Sequence, residues 1–437
     1  MEKLEYEGNI KNVLLDPVLD VKNVRNEFRI TNDDSNRVVL SSMRLSLGVT
    51  KAGAGHYNDA SGCYGLIRNI FLMDGNQVLD QCLNANGYLA FTNYLGENDE
   101  NASRNKVKSR GNNGYFVDGF SPADDTMTGG VAPRSDVLYR NTIGQITNTQ
   151  DSFVNTGYLD LKRCLPLLGN IDAIPLAVFP NLRLVVEYET DANKILENTA
   201  NASTTIRALL SFDEVTDDQE KQAMSRAFKG VTWLSIEHDR VNVPATSPAN
   251  NAANVRTEQV SNNNVKNFRG KYLSKLVVAK NPTDTSLHKA GNQNSPMGAY
   301  ASVLGIDERI NVRINGANKL PTDNDRPNKR LAMLTDIWGV ANAYPLNNVH
   351  GSDRDYFILA QFNGSSARKL QVGVQDYFGL SVEDNVNDME LLYTRKDEST
   401  NGGTDNGQYS TALNLNMWGL CRKSITMSGN QYRVVYA

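Results

Sequence analysis

Apolar side chains recur at every second position in several separate stretches of this chain. In SMRLSLGVT, Met43, Leu45, Leu47 and Val49 share one face. NLRLVVEYE repeats the pattern with Leu182, Leu184, Val186 and Tyr188, and ERINVRING with Ile310, Val312 and Ile314. KLQVGVQDY contributes Leu370, Val372 and Val374, and LNLNMWG contributes Leu413, Leu415 and Met417. A period of two sends one side of an extended chain into a core and the other into water, as in strands with one buried face. Between these runs lie segments rich in Asn, Gly, Ser and Asp, at 96–114, 122–135, 190–205, 244–267, 281–297 and 396–409. Their turn chemistry and scarcity of apolar anchors predict loops. Short strands joined by long loops point to β-sandwiches or jelly rolls.

Two stretches break the period. In DDQEKQAMSRAFKG, Asp217 is placed to cap a helix, Glu220 follows three residues on, and Gly230 stands beyond the end. The expected apolar face is Ala223, Met224, Ala227 and Phe228. NKRLAMLTDIWGVANAY spaces Leu331, Leu334, Trp338 and Ala341 along a second helix, which Pro345 ends. Both read as packing elements rather than cofactor-binding devices.

At 437 residues, 40% hydrophobic and 22% charged, the chain can fold as two units of roughly 200 residues, each with its own core. A formal charge of -4 gives no field to hold nucleic acid over the whole surface. The local basic run SRNKVKSRG, with Arg104, Lys106, Lys108 and Arg110, reads as a solvated loop. Cys63, Cys82, Cys164 and Cys421 form no C-x-x-C pair and suit reduced thiols. MEKLEYEGNIKN has no apolar core, so no signal peptide is expected, and no apolar run is long enough for a membrane span; synthesis in a cytoplasm or nucleus is expected.

Recognisable reaction chemistry is missing. His56, His238, His288 and His350 are scattered, with no second ligand at zinc spacing. There is no G-x-S-x-G, no phosphate loop and no H-E-x-x-H. TDNDRPNK, with Asp323 and Asp325, lacks the Gly and Glu of an EF-hand loop; an ordinary turn is expected there, with calcium the alternative. No catalytic, cofactor-binding or metal residue is nominated, and no cofactor is expected.

The segment GYLDLKRCLPLLGNIDAIPLAVFPNLRLVVEYET, residues 157–190, resembles the close of the first jelly roll in double jelly-roll major capsid proteins. IRALLSFDEVTDDQEKQAMSRAFKGVTWLSIEHDRV is similar to that family's inter-domain element: strand, acidic turn, short helix, further strand. GCYGLIRNIFLMDGNQVLDQ resembles an early strand pair with Leu66, Ile67, Ile70 and Leu72 inward, and MWGLCRKSITMSGNQYRVVYA resembles the terminal strands. Many large-virus members continue the acidic turn into a Glu-Arg pair. This chain reads DDQEKQAM instead, closer to the polinton-like side of the family.

The resemblance implies an all-β chain of two consecutive antiparallel jelly-roll sandwiches with short helices in the connections. Residues 1–205 would hold an N-terminal arm and the first jelly roll, and 206–437 the inter-domain element and the second. Pro166, Pro175 and Pro180 would mark strand ends, LRLVVEYE would be the first sandwich's last strand, and the segment before Met43 an arm beneath the lobe. It further implies a homotrimer of pseudohexagonal outline tiling an icosahedral virion capsid, in contact with neighbouring capsomers, minor capsid and penton proteins, and an internal membrane or genome on the inner face. No catalysis and no small-molecule substrate are implied. A carbohydrate-binding or adhesive sandwich is the alternative, with a sandwich hydrolase behind it; Trp233, Trp338 and Trp418, among apolar neighbours, are expected to be buried.

Overall fold

The computed structural model describes residues 10–32, 37–52, 66–89, 159–191, 203–244, 258–283, 309–321, 333, 377–396, 412–429 and 431–436. The alternation at 370–374, the second helix apart from Met333, Trp338, the basic run at 104–110, Asp323 and Asp325, Cys63, His56, His288 and His350 lie outside the described residues.

The strands fall into four antiparallel sheets, two in each half of the chain. The first half supplies β1 (Ile10–Leu15), β2 (Leu19–Val21), β3 (Arg25–Thr31), β4 (Val38–Leu40), β5 (Arg44–Ala52), β6 (Ile67–Asp74), β7 (Gln77–Leu83), β8 (Leu159–Asp160), β9 (Ala173–Pro175), β10 (Asn181–Tyr188) and β11 (Ser203–Val215). One sheet runs β8-β5-β11-β4-β9, with β1 also on β11; the facing sheet runs β2-β3-β10-β6-β7. Met43, Leu45 and Leu47 from the first sheet meet Leu182, Leu184, Val186 and Tyr188 from the second in one core, as the alternation requires. Leu66, Ile67, Ile70 and Leu72 join it.

The second half supplies β12 (Gly230–Val243), β13 (Glu258–Asn264), β14 (Lys271–Pro282), β15 (Arg309–Ile314), β16 (Ala317–Asn318), β17 (Tyr377–Val386), β18 (Met389–Lys396), β19 (Leu413–Ser428) and β20 (Gln431–Tyr436). Its sheets are β12-β19-β14-β17, with β20 on β19, and β13-β18-β15-β16. Ile310, Val312, Ile314, Leu413, Leu415 and Met417 lie in this second core.

Five expectations need correction. Residues 10–40 are not an arm: β1 pairs with β11 from Ile10↔Val215 to Leu15↔Leu210, and β2, β3 and β4 are strands of the first sandwich. Nor is β10 the last strand there. It lies between β3 and β6, and β11 follows it, because Ile206, Ala208, Leu210 and Phe212 alternate into the first core. The first sheet therefore extends through Val215, past the expected boundary at 205. Within the expected loop 244–267, EQVSNNN forms β13, whose backbone pairs along β18 without an alternating apolar face. Ser203–Thr205 and Asn281–Pro282 likewise belong to strands rather than loops.

The fifth correction concerns the helices. Pro166 directly precedes α1 (Leu167–Asn170), Pro175 ends β9, and Pro180 directly precedes β10, so all three occupy element ends. α2 (Asp218–Ala227) starts as expected, with the Asp217 carboxylate accepting the Glu220 N–H at 2.8 Å. Its buried stripe is Met224 alone, set against Val38, Leu40 and Val215 of the first sandwich, while Ala223 and Ala227 are exposed. Phe228 has left the helix for an extended conformation and is half-buried, its ring edge-to-face with Phe179 at 5.5 Å. Gly230 opens β12 with φ +113, where an added Cβ would run into the Ile425 carbonyl oxygen.

These positions set an order of effects. Asp217→Ala should cost about 1 kcal/mol, the usual worth of a helix cap. Phe228→Ala should cost about 2–3 kcal/mol, below a fully buried Phe but including an aromatic pair. Thermal melts of the two variants check this; a Phe228→Ala protein that melts no lower than Asp217→Ala contradicts it.

Candidate assembly surface and the joint between the sandwiches

The sheet containing β12, β14 and β19 is buried on both faces. Leu276 and Val278 of β14 enter the second core, while Val277 and Ala279 enter the first. On β19, Met417 and Cys421 face the second core, and Trp418 and Ile425 the first. Strands covered on both sides read as continuous apolar runs instead of alternations, which is how LVVA and MWGLC appear. The two sandwiches are thereby fused along one sheet face. Trp418 is its centre: the ring is fully buried, 6.4 Å from Tyr88 and 5.4 Å from His238, and Nε1–H donates to the Leu83 carbonyl at 3.2 Å. Burial holds the His238 imidazole down at about 4. Gly419 beside it leaves room for the Phe268 and Leu273 side chains, each 2.6 Å from where a Cβ would stand.

A charged network crosses the same joint. Asp80, on β7 of the first sandwich, is fully buried. One carboxylate oxygen accepts the Leu167 N–H at 2.8 Å; the other accepts the Ser235 hydroxyl at 2.9 Å and the Gln81 N–H at 3.0 Å. Two residues along β12, Glu237 accepts Lys271 Nζ at 2.9 Å and the Tyr436 hydroxyl at 2.7 Å, with Gln81 Nε2 at 3.4 Å. Lys423 of β19 is buried alongside, its ammonium 5.8 Å from the Trp233 ring centroid and 5.2 Å from that of Tyr436. Burial raises the Asp80 carboxyl to about 6, against the pull of the Leu167 N–H and the Lys423 charge. Burial also lowers Lys423, against the attraction of Asp80 and Glu237.

Two carboxylates and two ammoniums thus balance in a largely buried seam. Breaking such an arrangement is costly because it strands a buried charge. Sliding one sandwich over the other would do the same, so the seam fixes their relative position. None of these residues stood out in the sequence. The available signal was Lys423, beside Arg422 within the otherwise apolar MWGLCRKSITM, and a lone Asp80 within NQVLDQCLN.

A second feature lies on the outer edge. Among the described residues, the large exposed hydrophobics are Ile10, Leu14, Val18, Leu19, Val21, Val24, Val260 and Tyr436. Six of these eight fall within residues 10–24, on β1, β2 and their flanks. β1 has β11 as its only described neighbour, and β2 has β3. Scattered exposed apolar residues need no explanation, whereas a concentration along sheet edges marks a contact surface. Cys82, Cys164 and Cys421 are free thiols and buried, and among the described residues no cluster of His, Cys, Asp and Glu could hold a metal ion.

No protein-family profile and no curated protein matches the chain. Solved structures do. PBCV-1 VP54, fitted into a reconstruction of the virophage Sputnik, aligns over 100% of this chain and 99% of its own, with TM-score 0.57 and 12% identity. The Sputnik virophage structure aligns over 100% of this chain and 90% of its own, with TM-score 0.55 and 12% identity. The mavirus major capsid protein aligns over 100% and 92%, with TM-score 0.51 and 8% identity. The chain is a double jelly roll. At these identities the likeness establishes architecture, and it extends over both sandwiches of the double jelly roll. The central joint and the α2 crossover therefore belong to a single two-lobed body.

Proposed function

We propose that this double jelly roll is a major capsid protein, forming a pseudohexagonal trimer that tiles an icosahedral viral shell. The observation that carries the reading is the alignment, over essentially the full length of both chains, with the mavirus major capsid protein and with PBCV-1 VP54. Two sandwiches per chain, repeated by a three-fold axis, give six similar lobes and a nearly hexagonal tile. Tiling needs rigid tiles, and the doubly buried sheet with its charged seam supplies rigidity between lobes. The apolar edge at residues 10–24 is assigned to contact with a second copy of the chain. The work is structural, with no catalytic step, and its place is the virion shell. Minor capsid and penton proteins, and a membrane or genome beneath, are its further proposed neighbours.

A carbohydrate-binding reading lacks its platform among the described residues: Trp233 and Trp418 are buried, and Tyr436 spends its hydroxyl on Glu237. Sedimentation of the purified full chain at micromolar concentration should give a trimer, with a hexagonal outline in negative stain. A monomer would overturn the capsid reading. Leu14→Lys combined with Val18→Lys replaces side chains that are 64% and 63% exposed. Such surface changes usually shift stability by no more than about 0.5 kcal/mol. The double variant should therefore keep the wild-type circular dichroism of a folded chain yet sediment as a monomer, melting lower only by what assembly contributes; a trimer would move the contact away from this edge.

A further inference from the structure

The outward face of the sheet β2-β3-β10-β6-β7 carries a cavity of about 290 Å³ beside the β6–β7 turn, lined by Arg29, Arg183, Asn76 and Pro180 among others. Arg29 and Arg183 stand directly opposite each other across β3 and β10. Like charges in that relation repel unless something lies between them. One carboxylate, Glu27, serves three guanidiniums: Arg29 Nε at 3.0 Å and Arg183 Nη1 at 3.4 Å on one oxygen, and Arg25 Nη2 at 3.8 Å on the other. Hydrogen bonds from Arg29 and Arg183 hold the Glu27 carboxyl below its ordinary value despite its burial, so it is already ionised and fully committed. Of the other nearby acids, Glu187 stands opposite Arg25 and accepts the Asn69 amide N–H at 2.8 Å, and Asp74 accepts the Asn181 N–H at 2.7 Å and the Tyr432 hydroxyl at 2.7 Å.

Arg183 is poorly satisfied. Its Nη2 reaches Asn76 Oδ1 only at 3.5 Å, and its Nε is buried with no hydrogen-bond partner among the described residues. A buried guanidinium donor left unpaired is unfavourable, and its planar fork suits a two-oxygen acceptor. The cavity is too small for a nucleic-acid duplex and large enough for one oxyanion head.

We propose that this cavity is an oxyanion-binding site, in which Arg183 and Arg29 clasp a carboxylate or phosphate group. The group is either a free anion or an acidic side chain of a second copy of the chain, and the site does not depend on the capsid reading. Full-length protein is titrated with inorganic phosphate and with acetate, against chloride at equal ionic strength, and followed by calorimetry and thermal melting. Saturable binding is expected in wild type. Arg183→Gln should weaken it about tenfold or more, the worth of a hydrogen bond to a charged group. Arg29→Gln, at an exposed position, provides the same test should Arg183→Gln fail to fold, and Arg269→Gln, away from the cavity, should bind as wild type does. Phosphate that binds without changing the sedimentation coefficient identifies a free-anion site. Phosphate that binds and dissociates the assembly identifies a side chain from a second copy. Absence of saturable binding beyond the chloride control, or equal binding by a folded Arg183→Gln or Arg29→Gln protein, overturns the proposal.

Discussion

Trp418→Ala should lower stability by about 3–5 kcal/mol, the range for deleting a large buried aromatic and leaving a cavity. Against a typical total of about 5–15 kcal/mol, that is a severe loss. The cavity would open between the sandwiches, since the ring belongs to the first core while its strand belongs to the second half of the chain. The Leu83 carbonyl would lose the indole N–H at the same time. Urea unfolding checks the magnitude, and limited proteolysis checks the place: cleavage should increase between the halves before either sandwich opens. Trp418→Phe restores most of the volume but not the donor, and should recover the larger part of the loss. A Trp418→Ala protein as stable as wild type would mean that the two sandwiches are held together elsewhere.

What was legible in the sequence follows from how many faces of a strand are buried. Strands with one face in a core announced themselves by period two, as at Leu182–Tyr188 and Ile310–Ile314, and their inward residues were named correctly. β13 was invisible because its sequence, EQVSNNN, has no apolar face; its pairing with β18 is carried by backbone groups that every residue possesses. β1 was misread as an arm for the opposite reason. Ile10 and Leu14 are apolar but exposed in the isolated chain, so their spacing reports something other than a core. β19 announced its first part, Leu413–Met417, by alternation, but the doubly buried LVVA of β14 and MWGLC of β19 gave none, and the joint they form went unseen.

The α2 helix shows how local and tertiary signals part company. Its start was legible because capping is local: Asp217 needs only the Glu220 N–H three residues on. Its buried face was not, since a short helix lying on one sheet buries only the side chains that meet it, here Met224. Charged groups in the joint were harder still. Asp80 and Ser235 are separated by 155 positions and meet only once both sandwiches are in place.

Asp80→Ala should cost about 3–5 kcal/mol, as expected when one partner of a buried charge arrangement is removed. The substitution leaves the Leu167 and Gln81 N–H groups without their carboxylate acceptor and deprives Lys423 of a compensating charge. Asp80→Asn keeps the shape and one acceptor oxygen, and it isolates the role of the charge. In wild type the folded-state value is about 6, against an ordinary 3.8. A carboxyl that holds its proton more tightly when folded stabilises the fold most below its unfolded value, and that contribution is lost as pH rises through the folded value. The Asn side chain cannot titrate. Wild type should therefore hold its greatest advantage over Asp80→Asn at or below about pH 4; the gap should shrink, toward the variant's favour, as the pH rises from about 4 to about 6, and level off above that. Urea unfolding of both proteins across that range measures the gap directly. A gap that is constant from pH 4 to 7 would mean that Lys423 and the Leu167 N–H keep Asp80 ionised throughout; a gap that widens would reverse the sign of the burial effect at the joint.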